Sequence, residues 1–196
     1  MMKVIGLAGS PRRKGNSTTL LKAVIAGAES AGAQARVVHL NDLTFHGCQA
    51  CGRCAADDAC KIDDDLAPVL ADLHQARIWV LAAPIYFDGV SGQMKSFFDR
   101  CYHLTYREGQ IAPQLKGTRA AAVIVTYEDK PRDDYYDVAK RLAGYLKWMG
   151  DFEPVEILSE GNLGPADAAG RRPELLARAG EMGRRLVEQL TARPSR

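Results

Sequence analysis

What this 196-residue chain lacks narrows its chemistry before any motif is considered. No apolar run approaches the roughly 18 residues of a membrane-spanning helix, so no membrane association is expected. Neither sign of charge dominates: 26 Lys and Arg stand against 24 Asp and Glu, a formal net charge of +2. That balance argues against nucleic acid or an anionic lipid surface as a partner, and Arg184, Arg185, Arg193 and Arg196 read as a solvated helix end. No internal repeat or low-complexity tract is found. The first strand starts at once, without a leader of the basic, apolar, small-residue kind, which predicts a cytoplasmic protein. Hydrophobic residues make up 46% and charged residues 26%, ordinary globular values that exclude disordered and fibrous classes. The expectation is one domain over residues 1–196 with a cysteine-rich insertion at about 41–65.

Two glycine signatures are also absent. The nucleoside-triphosphatase loop needs Gly-x4-Gly-Lys-Ser/Thr, and here Asn16 stands where the lysine should be. The dinucleotide fingerprint Gly-x-Gly-x-x-Gly fails because Gly6 and Gly9 are followed only by Gly15. What is present is a β-forming run at residues 3–8, a polar loop, and then Leu20, Leu21, Val24, Ile25 and Ala28 at helical spacing. A strand that leads through Gly-Ser-Pro-Arg-Arg-Lys-Gly-Asn-Ser-Thr into a helix offers free backbone N–H groups, hydroxyls and the helix dipole to an anion. A phosphate held by hydroxyls and amides fits better than a triphosphate. Flavin mononucleotide is the common ligand of that kind on a parallel sheet; the alternative is an ordinary Gly/Pro/Asn turn with a good N-cap.

Further strands are predicted at 34–40, 77–83, 118–125 and 153–158. Helices are predicted from Leu66, over Met94 to Leu104, over 134–149, and from Pro173. Asp63, Asp64 and Asp65 read as capping acids of the second helix, and Trp79, Phe97, Phe98 and Trp148 as core. Five strands alternating with five helices predict an α/β three-layer sandwich around a five-stranded parallel sheet, in the flavodoxin-like order 2-1-3-4-5. In that order the loops after strands one, three and four border a single crevice.

Cys48, Cys51, Cys54 and Cys60 read C-x2-C-x2-C-x5-C. Three thiolates at intervals of three with a fourth further on can converge on an iron-sulfur cluster; zinc, or free thiols in a lid, are the other readings. Cys101 falls on the apolar stripe of the third helix and reads as a buried small hydrophobe.

The motifs Gly-Ser-Pro-Arg at 9–12, Gly-Asn-Ser-Thr at 15–18, Pro-Ile-Tyr-Phe at 84–87 and Ser-Gly-Gln-Met-Lys-Ser-Phe-Phe-Asp-Arg at 91–100 resemble the NADPH-dependent FMN reductase family of flavodoxin-like proteins. The compact cysteines resemble its iron-sulfur flavoprotein subgroup, in which a [4Fe-4S] cluster accompanies FMN. The resemblance implies that Ser10, Arg12, Asn16, Ser17 and Thr18 bind the FMN phosphate. It further implies that Pro84, Tyr86 and Phe87 line the ring, that Thr126 and Tyr127 close it, and that the four cysteines hold the metal. It implies an oxidoreductase or electron-transfer flavoprotein that moves electrons between a reduced nicotinamide, NAD(P)H, or a protein donor and an acceptor, in a homodimer or homotetramer. No catalytic acid or base is expected, because hydride passes directly to the flavin. The other readings are a cluster-free FMN or quinone reductase and a flavin-binding redox sensor.

Overall fold

The computed structural model describes residues 1–57, 59–107 and 110–193; the sequence expectation for Arg196 lies outside them. Five strands run parallel: β1 (Lys3–Ala8), β2 (Gln34–His39), β3 (Ile78–Tyr86), β7 (Leu115–Thr126) and β8 (Gly150–Glu160). The two-residue strands β4 (Gly89–Val90), β5 (Tyr106–Arg107) and β6 (Gln110–Ile111) make antiparallel pairings, β4 with the end of β3 and β5 with β6. The spatial order β2-β1-β3-β7-β8 is therefore the expected 2-1-3-4-5 order of the parallel strands, a flavodoxin-like fold.

Side chains alternate across each strand, and that period divides the apolar residues between two cores. Ile5, Leu7, Trp79 and Leu81 face one layer, where they meet Val69 and Leu73 of α3 (Ala67–Leu73), Phe97 of α4 (Gly92–Arg100) and Leu142 of α5 (Tyr136–Met149). Val4, Ala8, Ile78 and Val80 face the other, covered by Leu20 and Val24 of α1 (Asn16–Ser30) and Met182 and Leu186 of α6 (Pro173–Ala192). A four-residue helix, α2 (Cys54–Asp57), lies within the cysteine-rich segment. Among the described residues no helix is long and apolar enough to cross a membrane.

Two expectations are corrected. Trp148 is not core: α5 buries Val138, Ala139, Leu142, Leu146 and Met149, which turns the indole to solvent at 57% exposure, against the ring of Tyr145. The acidic trio is not chiefly a helix cap either, since α3 starts after Leu66 without a side-chain cap. Asp64 accepts the Leu66 N–H at 3.1 Å but also pairs with Arg100, and Asp65 accepts the Thr44 N–H at 2.8 Å.

Arg119 is a cation inside the sheet, only 3% exposed and, among the described residues, without a carboxylate partner. It donates to the carbonyls of Leu73 at 3.1 Å and His74 at 2.8 Å, and also to Ala76, at the negative end of the α3 dipole. Burial, with Arg77 nearby, pulls its pKa down to about 10. Arg119→Leu is expected to lower the unfolding free energy by about 3 kcal/mol, since several buried carbonyls lose a charged donor together. A urea titration reads this directly, and an unmoved midpoint would show that these carbonyls find other donors.

Candidate functional site

The loop after β1 is folded around its own polar groups. The Gly9 N–H donates to the Ala82 carbonyl of β3 at 2.8 Å, and the Ser91 hydroxyl donates to the Gly9 carbonyl at 2.7 Å while capping α4. A Cβ on Gly9 would lie 2.9 Å from the Met94 Cβ, so this approach of loop to helix requires glycine. The Arg12 carbonyl accepts from the Gly15 N–H at 3.0 Å and from the Thr18 hydroxyl at 3.2 Å, and the Ser10 hydroxyl accepts the Arg12 N–H at 3.1 Å. Gly15, the N-cap of α1, provides no side-chain cap. Among the described residues the N–H groups of Asn16, Ser17 and Thr18 donate to no backbone carbonyl and to no capping side chain. The Ser17 hydroxyl, on a residue only 2% exposed, has no hydrogen-bond partner among the described residues. Such a helix start offers hydrogen-bond donors and the positive end of the helix dipole to an anion.

The loops after β1, β3 and β7 border one cavity of about 140 Å³. Ser10, Arg12, Asn16 and Ser17 line it from the first loop, Pro84 and Tyr86 from the second, Thr126 and Tyr127 from the third. That volume is smaller than the roughly 300–1,000 Å³ of a complete small-molecule pocket. It suits a phosphate end, with the rest of a ligand extending over Pro84, Ile85 and Tyr86. Tyr127 forms a fixed wall, its hydroxyl 3.0 Å from the Ser159 hydroxyl and its ring edge-on to Tyr135 at 4.9 Å. Tyr135 donates in turn to Asp88, a contact that pushes its own pKa up to about 12.

Three sequence-predicted residues sit differently. Thr18 is buried behind the loop on the Arg12 carbonyl. Phe87 does not line the cavity: with Asp88 it forms the turn between β3 and β4, both at positive φ (49° and 57°), and its ring is fully exposed. Asn16 reaches the cavity, but its amide donates to the carbonyls of Leu163 at 2.8 Å and Pro165 at 2.9 Å and accepts the Ala169 N–H at 2.9 Å. This leaves its backbone N–H for an anion, and it brings in a fourth loop, whose Leu163, Gly164 and Ala166 also line the cavity. Sequence reasoning missed that loop because it follows the outermost strand of the order, away from β1.

Cys48, Cys51, Cys54 and Cys60 line a second cavity of about 380 Å³ together with Arg100 and His103. Positive φ at Ala50 (51°) and Gly52 (69°) turns the chain between successive cysteines. Burial raises the Cys54 thiol pKa, and the other three cysteines raise it further, while the Arg53 N–H lowers that of Cys51. The four sulfurs share a cavity, yet among the described residues no three metal-ligating side chains are gathered around a single ion position. Their number and chemistry suit a cluster wider than one ion. Cys101 is buried, as expected, and burial raises its pKa. The residue that sequence reasoning overlooked here is Arg100, whose guanidinium donates to the Cys60 sulfur at 3.2 Å.

Residues 2–131 match the family model described as NADPH-dependent FMN reductase. An iron-sulfur flavoprotein of Archaeoglobus fulgidus is 32% identical over 147 residues, covering 74% of this chain and 60% of that protein. An iron-sulfur flavoprotein of Methanocaldococcus jannaschii is 35% identical over 124 residues, covering 63% and 62%. The matched stretches thus span about three fifths of these relatives. A solved NAD(P)H:quinone oxidoreductase from Methanothermobacter marburgensis superposes with a TM-score of 0.66 at 21% identity, covering 94% of this chain and 96% of that one, a likeness of fold.

Proposed function

This chain belongs to the NADPH-dependent FMN reductase family, and we propose that it is an FMN-dependent oxidoreductase that also carries a [4Fe-4S] cluster on its four clustered cysteines. The observation that carries the flavin reading is the uncapped start of α1, with the unpartnered Ser17 hydroxyl turned into a cavity shared by the loops of three central strands. FMN, when bound, supplies two-electron exchange with a reduced nicotinamide and one-electron exchange with a cluster.

The chain's own part is placement. The α1 N–H groups, Ser10 and Ser17 hold the phosphate, and Arg12 adds charge from the rim. Asn16 fixes the 163–169 loop against that phosphate site. Pro84 and Tyr86 would border the ring, and Thr126 and Tyr127 would keep water from the site. No side chain is needed as a general base. The donor is NAD(P)H or a redox protein. Exposed Phe87, Tyr102 and Trp148 are the apolar surface that a homodimer or homotetramer would cover.

The cluster reading is supported by four cysteines that line one cavity and by the names of the iron-sulfur flavoprotein relatives. A cluster-free reductase is the second reading, favoured because among the described residues no three ligating side chains are gathered around one ion position. Iron, sulfide and flavin analysis of anaerobically purified protein separates them. FMN with about four irons per chain is expected, and Cys51→Ser should lose iron while retaining FMN. FMN without iron or sulfide would leave the cluster-free reductase, and no flavin after reconstitution would overturn both.

A further inference from the structure

A buried arginine lines the cysteine cavity. Arg100 ends α4 with its side chain 0% exposed, beside an Asp64 side chain 10% exposed. A guanidinium has five N–H donors in a fixed fork, and here each has an acceptor. Nη1 donates to the His46 carbonyl at 2.9 Å and to Asp64 Oδ2 at 2.5 Å. Nη2 donates to the Ile62 carbonyl at 3.3 Å and to Asp64 Oδ1 at 3.1 Å. Nε donates to the Cys60 sulfur at 3.2 Å. His46 precedes Cys48 in the chain, and Ile62 and Asp64 follow Cys60, so one side chain ties together both ends of the segment that carries all four candidate ligands.

A loop clamp alone would be satisfied by the four donors on oxygen. The fifth lies on a sulfur that lines the proposed metal cavity, and it comes from a helix whose other end is fixed to the phosphate loop through Ser91 and the Gly9 carbonyl. Burial opposes the charge on Arg100, but the Asp64 and Cys60 bonds outweigh it and the group stays a cation.

We propose that Arg100 is a positioning residue that holds Cys60 at the cavity by a charge-assisted N–H···S bond and sets the electron affinity of the iron-sulfur group bound there; this rests on the cluster reading above. Reduction adds one negative charge to the cluster, and a cationic donor on a ligand sulfur favours the form that carries it. Asp64 opposes this effect, because its carboxylate offsets the same cation. The two residues therefore act on the potential with opposite sign.

The test is an anaerobic redox titration of iron- and sulfide-reconstituted protein, with the reduced cluster followed by electron paramagnetic resonance. At the wild-type midpoint, Arg100→Gln should lower the reduced-to-oxidised ratio about tenfold, a shift of about 59 mV to more negative potential for a one-electron couple. Asp64→Asn should shift it the other way. Arg100→Lys should keep a potential close to that of the wild type but release iron to a chelator faster, since an ammonium cannot serve all five acceptors. Bound FMN and an unchanged circular dichroism spectrum show that each variant is folded. Should Arg100→Gln fail to fold, the sign for Asp64→Asn decides alone. Wild-type potentials in the folded glutamine and asparagine variants, or shifts of the same sign in both, would overturn the inference. A wild-type protein that takes up no iron or sulfide would instead overturn the cluster reading beneath it, and is recognised before any variant is compared.

Discussion

Gly183→Ala is expected to lower the unfolding free energy by about 3 kcal/mol and to weaken FMN binding in the same protein. A Cβ at this position would lie 1.9 Å from the Val24 carbonyl oxygen of α1, and one at Gly27 would lie 1.8 Å from the Gly180 carbonyl oxygen of α6. The neighbours are backbone on both sides, so no side-chain rotation relieves the overlap and the helices must separate. Separation opens the core that holds Leu20, Val24, Met182 and Leu186. It also pulls on the site, because Asn16 at the start of α1 is hydrogen-bonded to the loop that leads into α6. Gly144→Ala is the control: nothing lies within 4 Å of a Cβ there, and in the middle of α5 alanine should stabilise by about 1 kcal/mol. Urea midpoints for the two variants should move in opposite directions. Equal midpoints would show that the α1–α6 contact gives way without cost.

The parts of the fold legible in the sequence are those fixed by local pattern. Residues 4–8 and 78–83 are apolar on both faces, as strands covered by helices must be, and α1 has one apolar stripe. The βαβ alternation then dictates the strand order, and with it the meeting of the Gly9, Pro84 and Thr126 loops. What was not legible depends on contacts made across long stretches of chain. The β3–β4 hairpin escaped notice because its turn is Phe87-Asp88, and neither residue is the glycine or asparagine that usually signals two consecutive left-handed positions. The close packing of α6 on α1 has no local signal either, since it rests on Gly180 and Gly183, which meet α1 backbone to backbone. Nothing local marks Arg100, because its partner Asp64 lies 36 residues away in the chain. Asn16 was read as a phosphate ligand, since nothing local shows that its amide is taken by residues 163–169.

Ser17→Asp should separate what the helix start does for the fold from what it does for the ligand. Ser17 occupies the first turn of α1 and opens onto the cavity. A carboxylate there meets the positive end of the helix dipole and should stabilise the ligand-free protein by about 0.5 kcal/mol. The same carboxylate would stand about 4 Å from a phosphate held by those N–H groups, where two unit negative charges repel by about 4 kcal/mol at the effective dielectric of a protein surface. FMN affinity should therefore fall about a thousandfold, read by quenching of flavin fluorescence on titration with the apoprotein. Ser17→Ala, which removes only the unpartnered hydroxyl, should lose about tenfold, the share of one hydrogen bond to a charged group. Opposite signs for stability and affinity in the aspartate variant would place the phosphate at the start of α1. A variant that gains stability but binds FMN like the wild type would move the phosphate to another loop and remove the central support for the flavin site.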